Sequence, residues 1–393
     1  MSAIKHYRRH RFIWAILTVI MKPYLTRRFN YKFKVCSAHS PLLVISNHVT
    51  DWDPFFIGLC FPQHLYFVAS DHIFRWGFVS KLINWVVAPI PHLKSARGIS
   101  STREILRRLR GGANVCLFAE GNRTWDGVTG DFLPSAGKLA RISGATLVTF
   151  RISGGYFTQP RWSKALRKGK AEGKAVGIYP PEQLKKMSPE QINAIIAKDI
   201  FEDAYARQRS ENIAFKGKNP AENLETLLCA CPECDSLGHM HSNGDRFSCT
   251  FCGFTVRYGE NGFSSGDDLP FDNVADWNAW QNEKLLALAG DESKFELLSD
   301  EGIELTQILS VKKRKSLGSG RMSLNRDMLR VCDMEFPLDK LTGISMIGRA
   351  KLNFTCSGLS YNLSSRKSSC FKKYLLVLSR LAADNKLEQL LIT

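Results

Sequence analysis

Leu42-Leu43-Val44-Ile45-Ser46-Asn47-His48-Val49-Thr50-Asp51-Trp52-Asp53-Pro54 is the stretch on which the reading of this 393-residue chain turns. Leu42 to Ser46 is a short apolar run rich in branched side chains, the pattern of a buried strand, and it delivers polar Asn47 and His48 into a loop. Asp53-Pro54 then reads as a helix start, with Asp at the N-cap and Pro at the first helical position. On one continuous helix, side chains five residues apart would stand about 140° apart around the axis. His48 and Asp53 can therefore meet only if the chain turns between them, and a strand–turn–helix supplies that turn.

A histidine held by a carboxylate suits one kind of chemistry. A hydroxyl is a poor nucleophile at neutral pH and needs a base within hydrogen-bond reach. Imidazole titrates in the right range, and a carboxylate on its far nitrogen fixes the tautomer. Taken alone, the pair fits equally well an aspartate that only caps a helix and a histidine satisfied within its loop.

Working outward, strand-like and helix-like segments alternate. Residues 65–69 resemble a strand, 72–87 a helix apolar nearly all round, 101–110 an amphipathic helix stopped by Gly111-Gly112, and 114–119 another strand. Residues 135–143 read as a helix and 145–152 as a strand; 160–186 reads as a basic loop, 188–209 as a helix, and 211–222 as a linker. Strands separated by helices over this length predict an α/β domain with a mixed, largely parallel sheet and flanking helices.

The strand at 114–119 runs into Phe118-Ala119-Glu120-Gly121-Asn122-Arg123-Thr124. A glycine turn here presents a carboxylate, a guanidinium and a hydroxyl together. Arg offers a planar fork suited to phosphate, and amides near a glycine turn can join it. On its own this block is equally a surface turn with an exposed ion pair.

Together the two blocks resemble the lysophosphatidic acid (1-acylglycerol-3-phosphate) acyltransferase superfamily, whose members carry His-x4-Asp followed by Phe-Pro-Glu-Gly-Thr-Arg-Ser. The resemblance covers roughly residues 30–215. It implies that His48 removes the acceptor hydroxyl proton, that Asp53 orients His48, and that Glu120, Gly121, Arg123 and Thr124 serve the acceptor. The chain also departs from the family. Ala119 replaces a Pro, and Leu147-Val148-Thr149-Phe150 lacks the proline of the fourth block. Where an Arg usually helps to hold phosphate, Lys94 and nearby Arg97 stand instead, and lysine binds phosphate as a point charge without the fork. These changes bear on the acceptor more than on the reaction.

The charge points the same way. The chain carries a formal net charge of +17, which predicts an anionic partner. Residues 1–50 hold nine Lys or Arg and no acid, around the apolar run Phe12 to Met21. That run is shorter than the roughly 20 residues a membrane span needs. It fits a helix lying in the membrane interface, its charges meeting anionic lipid. An ordinary core helix and a secretory signal are the alternatives, although Lys22-Pro23 follows the run without a small-residue cleavage site.

Eleven cysteines, an odd number, do not make a closed disulfide framework. Four form Cys231-Pro232-Glu233-Cys234 and Cys249-Thr250-Phe251-Cys252, the pattern of a zinc ribbon closed by four thiolates. A full set of cysteines suits a structural Zn2+, since a catalytic ion keeps an open position. The other seven read as buried free thiols. From about 295 the pattern becomes short runs separated by turn signals, among them Gly318-Ser319-Gly320 and Asn325-Arg326-Asp327, and ends in a helix near 370–388. This small β-rich domain is similar in outline to PH or GRAM domains. Its basic clusters Lys312-Lys313-Arg314-Lys315 and Lys372-Lys373 fit lipid headgroups or solvated loops alike.

The sequence thus predicts a membrane-interface segment at 1–29, an acyltransferase domain at 30–215, a zinc ribbon at 225–258 and a β-rich domain at 290–393. The expected reaction moves an acyl chain from acyl-CoA or acyl carrier protein to the hydroxyl of lysophosphatidic acid, with no catalytic cofactor, at the cytoplasmic face of a membrane. A related lysophospholipid or glycerol 3-phosphate is the alternative acceptor. A nucleic-acid-binding ribbon is the rival from another class. Against it, region 229–258 has no Lys, and its Arg246 and Arg257 face Glu233, Asp235 and Asp245.

Overall fold

The computed structural model describes residues 7–70, 83–92, 99–132, 134–310, 313–365, 369–387 and 390–392. They divide into two compact units, one of residues 1–161 with 166–217 and the other of 162–165 with 218–393.

The first unit is built on a seven-stranded sheet. Its strands are β1 (Lys32–Phe33), β2 (Leu42–Ser46), β3 (Leu65–Ser70), β4 (Ile90–His92), β5 (Asn114–Phe118), β6 (Thr146–Ser153) and β7 (Glu172–Tyr179), in the order β1-β7-β6-β2-β5-β3-β4. All neighbours run parallel except β6 and β7. Between β5 and β6, β2 is buried at every residue, as a central parallel strand covered on both faces must be. That is why its sequence shows no alternation. Leu43 and Ile45 join Tyr66, Val115 and Leu147 from the sheet in one core with Ile192, Ile196 and Ile200 from a covering helix.

The helices are α1 (Tyr7–Phe29), α2 (Asp53–Leu59), α3 (Ile99–Arg110), α4 (Ser135–Ser143), α5 (Gly155–Thr158), α6 (Pro181–Lys185), α7 (Pro189–Ile200) and α8 (Ala204–Glu211). α1 is longer than the apolar run that announces it, and it is not a separate segment. His10, Trp14, Leu25 and Phe29 are buried, and Trp14 lies so close to α2 that a Cβ on Gly58 would fall 2.0 Å from its ring. The opposite side leaves Phe12, Ile16, Val19 and Ile20 exposed. No helix among the described residues is long and apolar enough to cross a membrane.

Three expectations change here. The basic loop at 160–186 contains β7 and α6. β7 lies beyond β6, with exposed and less exposed positions alternating along it, so it lacks the apolar run of a central strand, and Pro180-Pro181 opens a helix rather than a turn. The single helix at 188–209 is two, parted where the Asp203 side chain accepts from the Tyr205 and Ala206 amides as an N-cap. Of the helix expected at 72–87, residues 71–82 lie outside the described residues and 83–86 are helical.

The second unit joins the ribbon to the β-rich region. Strands β8 (Met240–Asn243), β9 (Arg246–Cys249), β10 (Thr255–Tyr258) and β11 (Ser264–Ser265) make a small antiparallel sheet. Helix α9 (Val274–Gly290) follows, then β12 (Leu298–Ile308), β13 (Arg314–Leu324), β14 (Met328–Val331), β15 (Met334–Pro337), β16 (Leu341–Ile347), β17 (Lys351–Cys356) and β18 (Leu359–Ser365), with α10 (Phe371–Asp384) and β19 (Leu391–Ile392). The sheet order is β15-β14-β13-β12-β18-β17-β16-β19. The ribbon and β-rich regions, separate in the sequence reading, form one unit because α9 binds both. Gln281 Oε1 accepts from the Cys229 amide (2.9 Å), the Trp277 indole donates to Ala230 O (3.0 Å), and Asn278 Oδ1 accepts from Lys372 of α10 (2.6 Å). Gly318-Ser319-Gly320 lies inside β13, paired with β12, rather than at a turn. Asn325-Arg326-Asp327 is the turn expected, with Asn325 Oδ1 accepting from the Asp327 and Met328 amides.

Candidate active site

β2 and β5 are parallel neighbours, so the loops leaving their C-terminal ends emerge side by side. In open α/β sheets this is the edge where ligands bind. The sheet therefore brings together His48 and the block 119–124, some seventy residues apart in sequence.

His48 Nδ1 lies 2.8 Å from Asp53 Oδ2. Asp53 is fully buried and is the first residue of α2, with Trp52 at the N-cap position. This corrects the expectation that Asp53 would cap the helix. Its carboxylate turns back onto the loop instead. Oδ2 also accepts from the Val49 amide (2.7 Å) and the Thr50 amide (3.0 Å), and Oδ1 from the Thr50 hydroxyl (2.7 Å). A carboxylate surrounded by donors can only accept, so the imidazole proton sits on Nδ1 and Nε2 keeps its lone pair. The ring stacks on Phe118, centroids 4.0 Å apart, and the side chain remains one-fifth exposed. Behind it Asn47 exchanges two 2.9 Å hydrogen bonds with the Ile152 backbone, fixing the loop to β6.

Glu120 ties the His48 loop to its own block. Oε1 accepts from the His48 amide (2.8 Å) and Oε2 from the Gly130 amide (2.9 Å). Burial pushes its carboxyl up to about 7, against the lowering effect of those two hydrogen bonds. Gly121, at φ +67°, makes the left-handed turn that lets the chain double back. Thr124 also belongs to the loop. Its amide donates to His48 O (2.9 Å), and its hydroxyl donates to Val128 O (2.7 Å) while accepting from the Gly127 amide (3.1 Å). Both side chains are thus committed to holding the two blocks in register.

Arg123 brings the block's guanidinium up against the His48 loop, at Asp51. Its Nη1 is buried, has no hydrogen-bond partner among the described residues, and faces Asp51 Oδ2 at 3.4 Å. Lys94 and Arg97 lie outside the described residues. Sequence reasoning passed over Thr50, Asp51 and Arg161. The first two sit within the quoted stretch. Arg161 follows Arg123 by thirty-eight residues and has no motif to mark it, yet its Nη1 donates to Arg123 O (3.0 Å).

In the second unit Cys231, Cys234, Cys249 and Cys252 form a group whose sulfurs all lie within 4.8 Å of one another. Cys231 and Cys252 are 3.7 Å apart, Cys234 and Cys249 3.8 Å. Four sulfurs about 2.3 Å from a tetrahedral zinc would be about 3.8 Å apart along each edge, so the group fits that ion. The Asp235 amide donates to Cys231 O and the Gly253 amide to Cys249 O, both at 3.0 Å, closing the two turns that carry the thiols.

Part of the first unit is similar to known proteins. The family model described as Acyltransferase matches residues 28–153. A chloroplastic 1-acyl-sn-glycerol-3-phosphate acyltransferase of Arabidopsis thaliana is 25% identical over 170 residues, which is 41% of this chain and 46% of that protein. A second chloroplastic enzyme of the same description, from Brassica napus, is also 25% identical over 170 residues, 41% of this chain and 47% of that one. The chain thus spans about half the length of the curated relatives it matches. Among solved structures, the 1-acyl-sn-glycerophosphate (LPA) acyltransferase PlsC of Thermotoga maritima gives a TM-score of 0.41 at 16% identity, covering 50% of this chain and 82% of that one. Residues 28–153 thus carry an acyltransferase domain, and the chain is similar over part of its length to lysophosphatidic acid acyltransferases.

Proposed function

We propose that the protein transfers an acyl chain from a thioester donor, acyl-CoA or acyl carrier protein, to the free hydroxyl of lysophosphatidic acid, making phosphatidic acid. The observation that carries the reading is the 2.8 Å contact between His48 Nδ1 and Asp53 Oδ2, which leaves Nε2 as the base on the open side of the ring. In this mechanism Nε2 takes the hydroxyl proton as the acceptor oxygen attacks the thioester carbonyl. The carbon–sulfur bond then breaks, and the imidazolium returns its proton to the departing thiolate. Asp53 stabilises the charge that forms on the ring, and Arg123 attracts the acceptor phosphate.

The protein works at the cytoplasmic face of a membrane in this reading. Exposed Phe12, Ile16, Val19 and Ile20 of α1 enter the interface, and the basic residues at either end of the helix meet anionic headgroups. The four-cysteine group holds a structural Zn2+, whose binding free energy helps to fold the second unit.

The test is turnover of lysophosphatidic acid, other lysophospholipids and glycerol 3-phosphate with acyl-CoA, for wild type and His48→Ala. The substitution should abolish product formation while circular dichroism stays unchanged. Full activity in His48→Ala would refute the assignment of the base. Turnover of a different acceptor by wild type would overturn the acceptor alone.

A further inference from the structure

A groove of about 700 Å³ runs along one flank of α1. Gly58 and Leu59 line it, at the end of α2 away from Asp53, and His48, Asp53 and Arg123 do not. It is therefore separate from the site described above. Arg8, Arg11, Ala15, Val19 and Lys22 reach it from α1, recurring at the three- and four-residue steps that make one stripe of a helix. At 1.5 Å per residue the stripe is about 21 Å long from Arg8 to Lys22. It is cationic at both ends and apolar between them. Phe33, Val35 and Phe61 add apolar lining from other parts of the domain, and no acidic residue is among the described residues that line the groove. The apolar lining is uncovered, for Phe12, Val19 and Val35 are each more than half exposed.

The groove also has unsatisfied polar atoms in its wall. Trp14 and His64 both line it, and they are 6% and 2% exposed. Trp14 Nε1, His64 Nδ1 and His64 Nε2 have no hydrogen-bond partner among the described residues. Burial, and after it the neighbouring His10, push His64 down to about 3. At neutral pH its ring is thus uncharged, with one N–H and one lone pair to satisfy. Buried polar groups in folded proteins are nearly always hydrogen-bonded, so a ligand bearing acceptor oxygens suits this wall.

We propose that the groove holds one anionic phospholipid, its phosphate between Arg8 and Arg11 and its acyl chains along the apolar stripe toward Lys22. The ester or phosphate oxygens accept from the Trp14 indole. Two guanidinium groups one helical turn apart can each offer a fork to phosphate, and uncovered apolar side chains gain by burying hydrocarbon. A zwitterionic headgroup would bring its own cation beside the two arginines, so the groove discriminates by headgroup charge. This is one seat for one lipid, distinct from the general contact of exposed α1 side chains with a bilayer. It does not depend on the acyl-transfer reading.

The experiment titrates the full chain with dihexanoyl phosphatidylglycerol, kept below its micelle concentration, by isothermal calorimetry. Both acyl positions of this lipid are filled, which keeps the test apart from acyl transfer. Wild type should bind one lipid per chain, about ten-fold or more tighter than dihexanoyl phosphatidylcholine. Ala15→Trp, which fills the groove from an exposed helix position, should weaken binding about ten-fold or more. The double variant Arg8→Gln/Arg11→Gln should do the same through charge, by about ten-fold. Ile16→Ser alters an exposed apolar neighbour outside the groove and should change affinity less than about two-fold. Melting midpoints of all variants should match wild type. Equal affinity for the two lipids, equally tight binding of inorganic phosphate, or no saturable binding overturns the inference. It is also overturned if Ile16→Ser costs as much as Ala15→Trp, since that marks a general apolar face. A wild-type dimer on gel filtration that Ala15→Trp converts to monomer would put a second copy in the groove, and overturns it too.

Discussion

The Asp53→Asn substitution is the sharpest test of the site because the structure sets its two consequences apart. Asp53 Oδ2 receives His48 Nδ1, the Val49 amide and the Thr50 amide, whereas Oδ1 receives chiefly the Thr50 hydroxyl at 2.7 Å. An asparagine can therefore keep its carbonyl oxygen in the Oδ2 position and turn its amide toward Thr50, whose hydroxyl rotates to accept. Every backbone donor remains satisfied. What is lost is the charge, so hydrogen bonds worth about 1.5–3 kcal/mol each fall toward about 1 kcal/mol. The expected loss of stability is thus about 1–3 kcal/mol, within the reserve of a folded domain. The cost to catalysis is larger, because the imidazolium formed during proton transfer loses its buried counter-charge. We expect kcat to fall about 10²–10⁴-fold, in the range reported for losing the carboxylate behind a catalytic histidine. Asp53→Ala is the wrong variant to make. It strands the Val49 and Thr50 amides, at about 1–3 kcal/mol each, and confuses misfolding with lost chemistry. Acyl transfer is followed from radiolabelled acyl-CoA, and stability by urea denaturation. If Asp53→Asn folds and turns over within about three-fold of wild type, Asp53 does not support the base and the mechanism is wrong.

Other tests address the surrounding features. Glu120 has a carboxyl raised above its ordinary range, so the folded state binds its proton more tightly than the unfolded one. Its contribution to stability is fully present below the ordinary pKa and declines as pH rises through about 7. Relative to Glu120→Gln, the wild type should lose on the order of 2–3 kcal/mol between pH 5 and 8; a pH-independent difference between their melting curves contradicts the burial argument. Chelation of zinc should unfold the second unit, read as lost β-sheet circular dichroism with metal release reported by a chromophoric indicator. Unchanged spectra after complete chelation would show that the cysteines do not hold the fold. Replacing Val19 and Ile20 on α1 by Ser removes exposed apolar side chains from the face opposite Trp14. Flotation with anionic vesicles should weaken about ten-fold or more, by about 1 kcal/mol or more per residue, with little change in melting temperature. Undiminished flotation would move the membrane contact elsewhere.

Some of this was readable along the chain. An apolar branched run such as Leu42–Ser46 has few conformations that bury it, so β2 and its exit loop follow from local pattern. The four-cysteine spacing is similarly local, because each pair sits in its own short turn. Local pattern misled where tertiary contacts changed its meaning. β7 looks like a loop because a strand beyond the buried centre of a sheet needs no continuous apolar run, and Gly318-Ser319-Gly320 looks like a turn although pairing with β12 keeps it extended.

The sequence by itself determined the chemistry available at the site: a histidine, an aspartate after a turn, and a glycine-borne arginine on the neighbouring block. Those identities, with the matching order of the two blocks, were enough to reach the family. Only the tertiary structure decided what each group does with its atoms. Placing β2 beside β5 brings the Glu120 carboxylate to the His48 amide, and it locks Thr124 into the loop. The same folding sets Arg161 against Arg123. Hydrogen bonds and charge act over a few ångströms of space regardless of separation along the chain, so no spacing rule could have disclosed that pair.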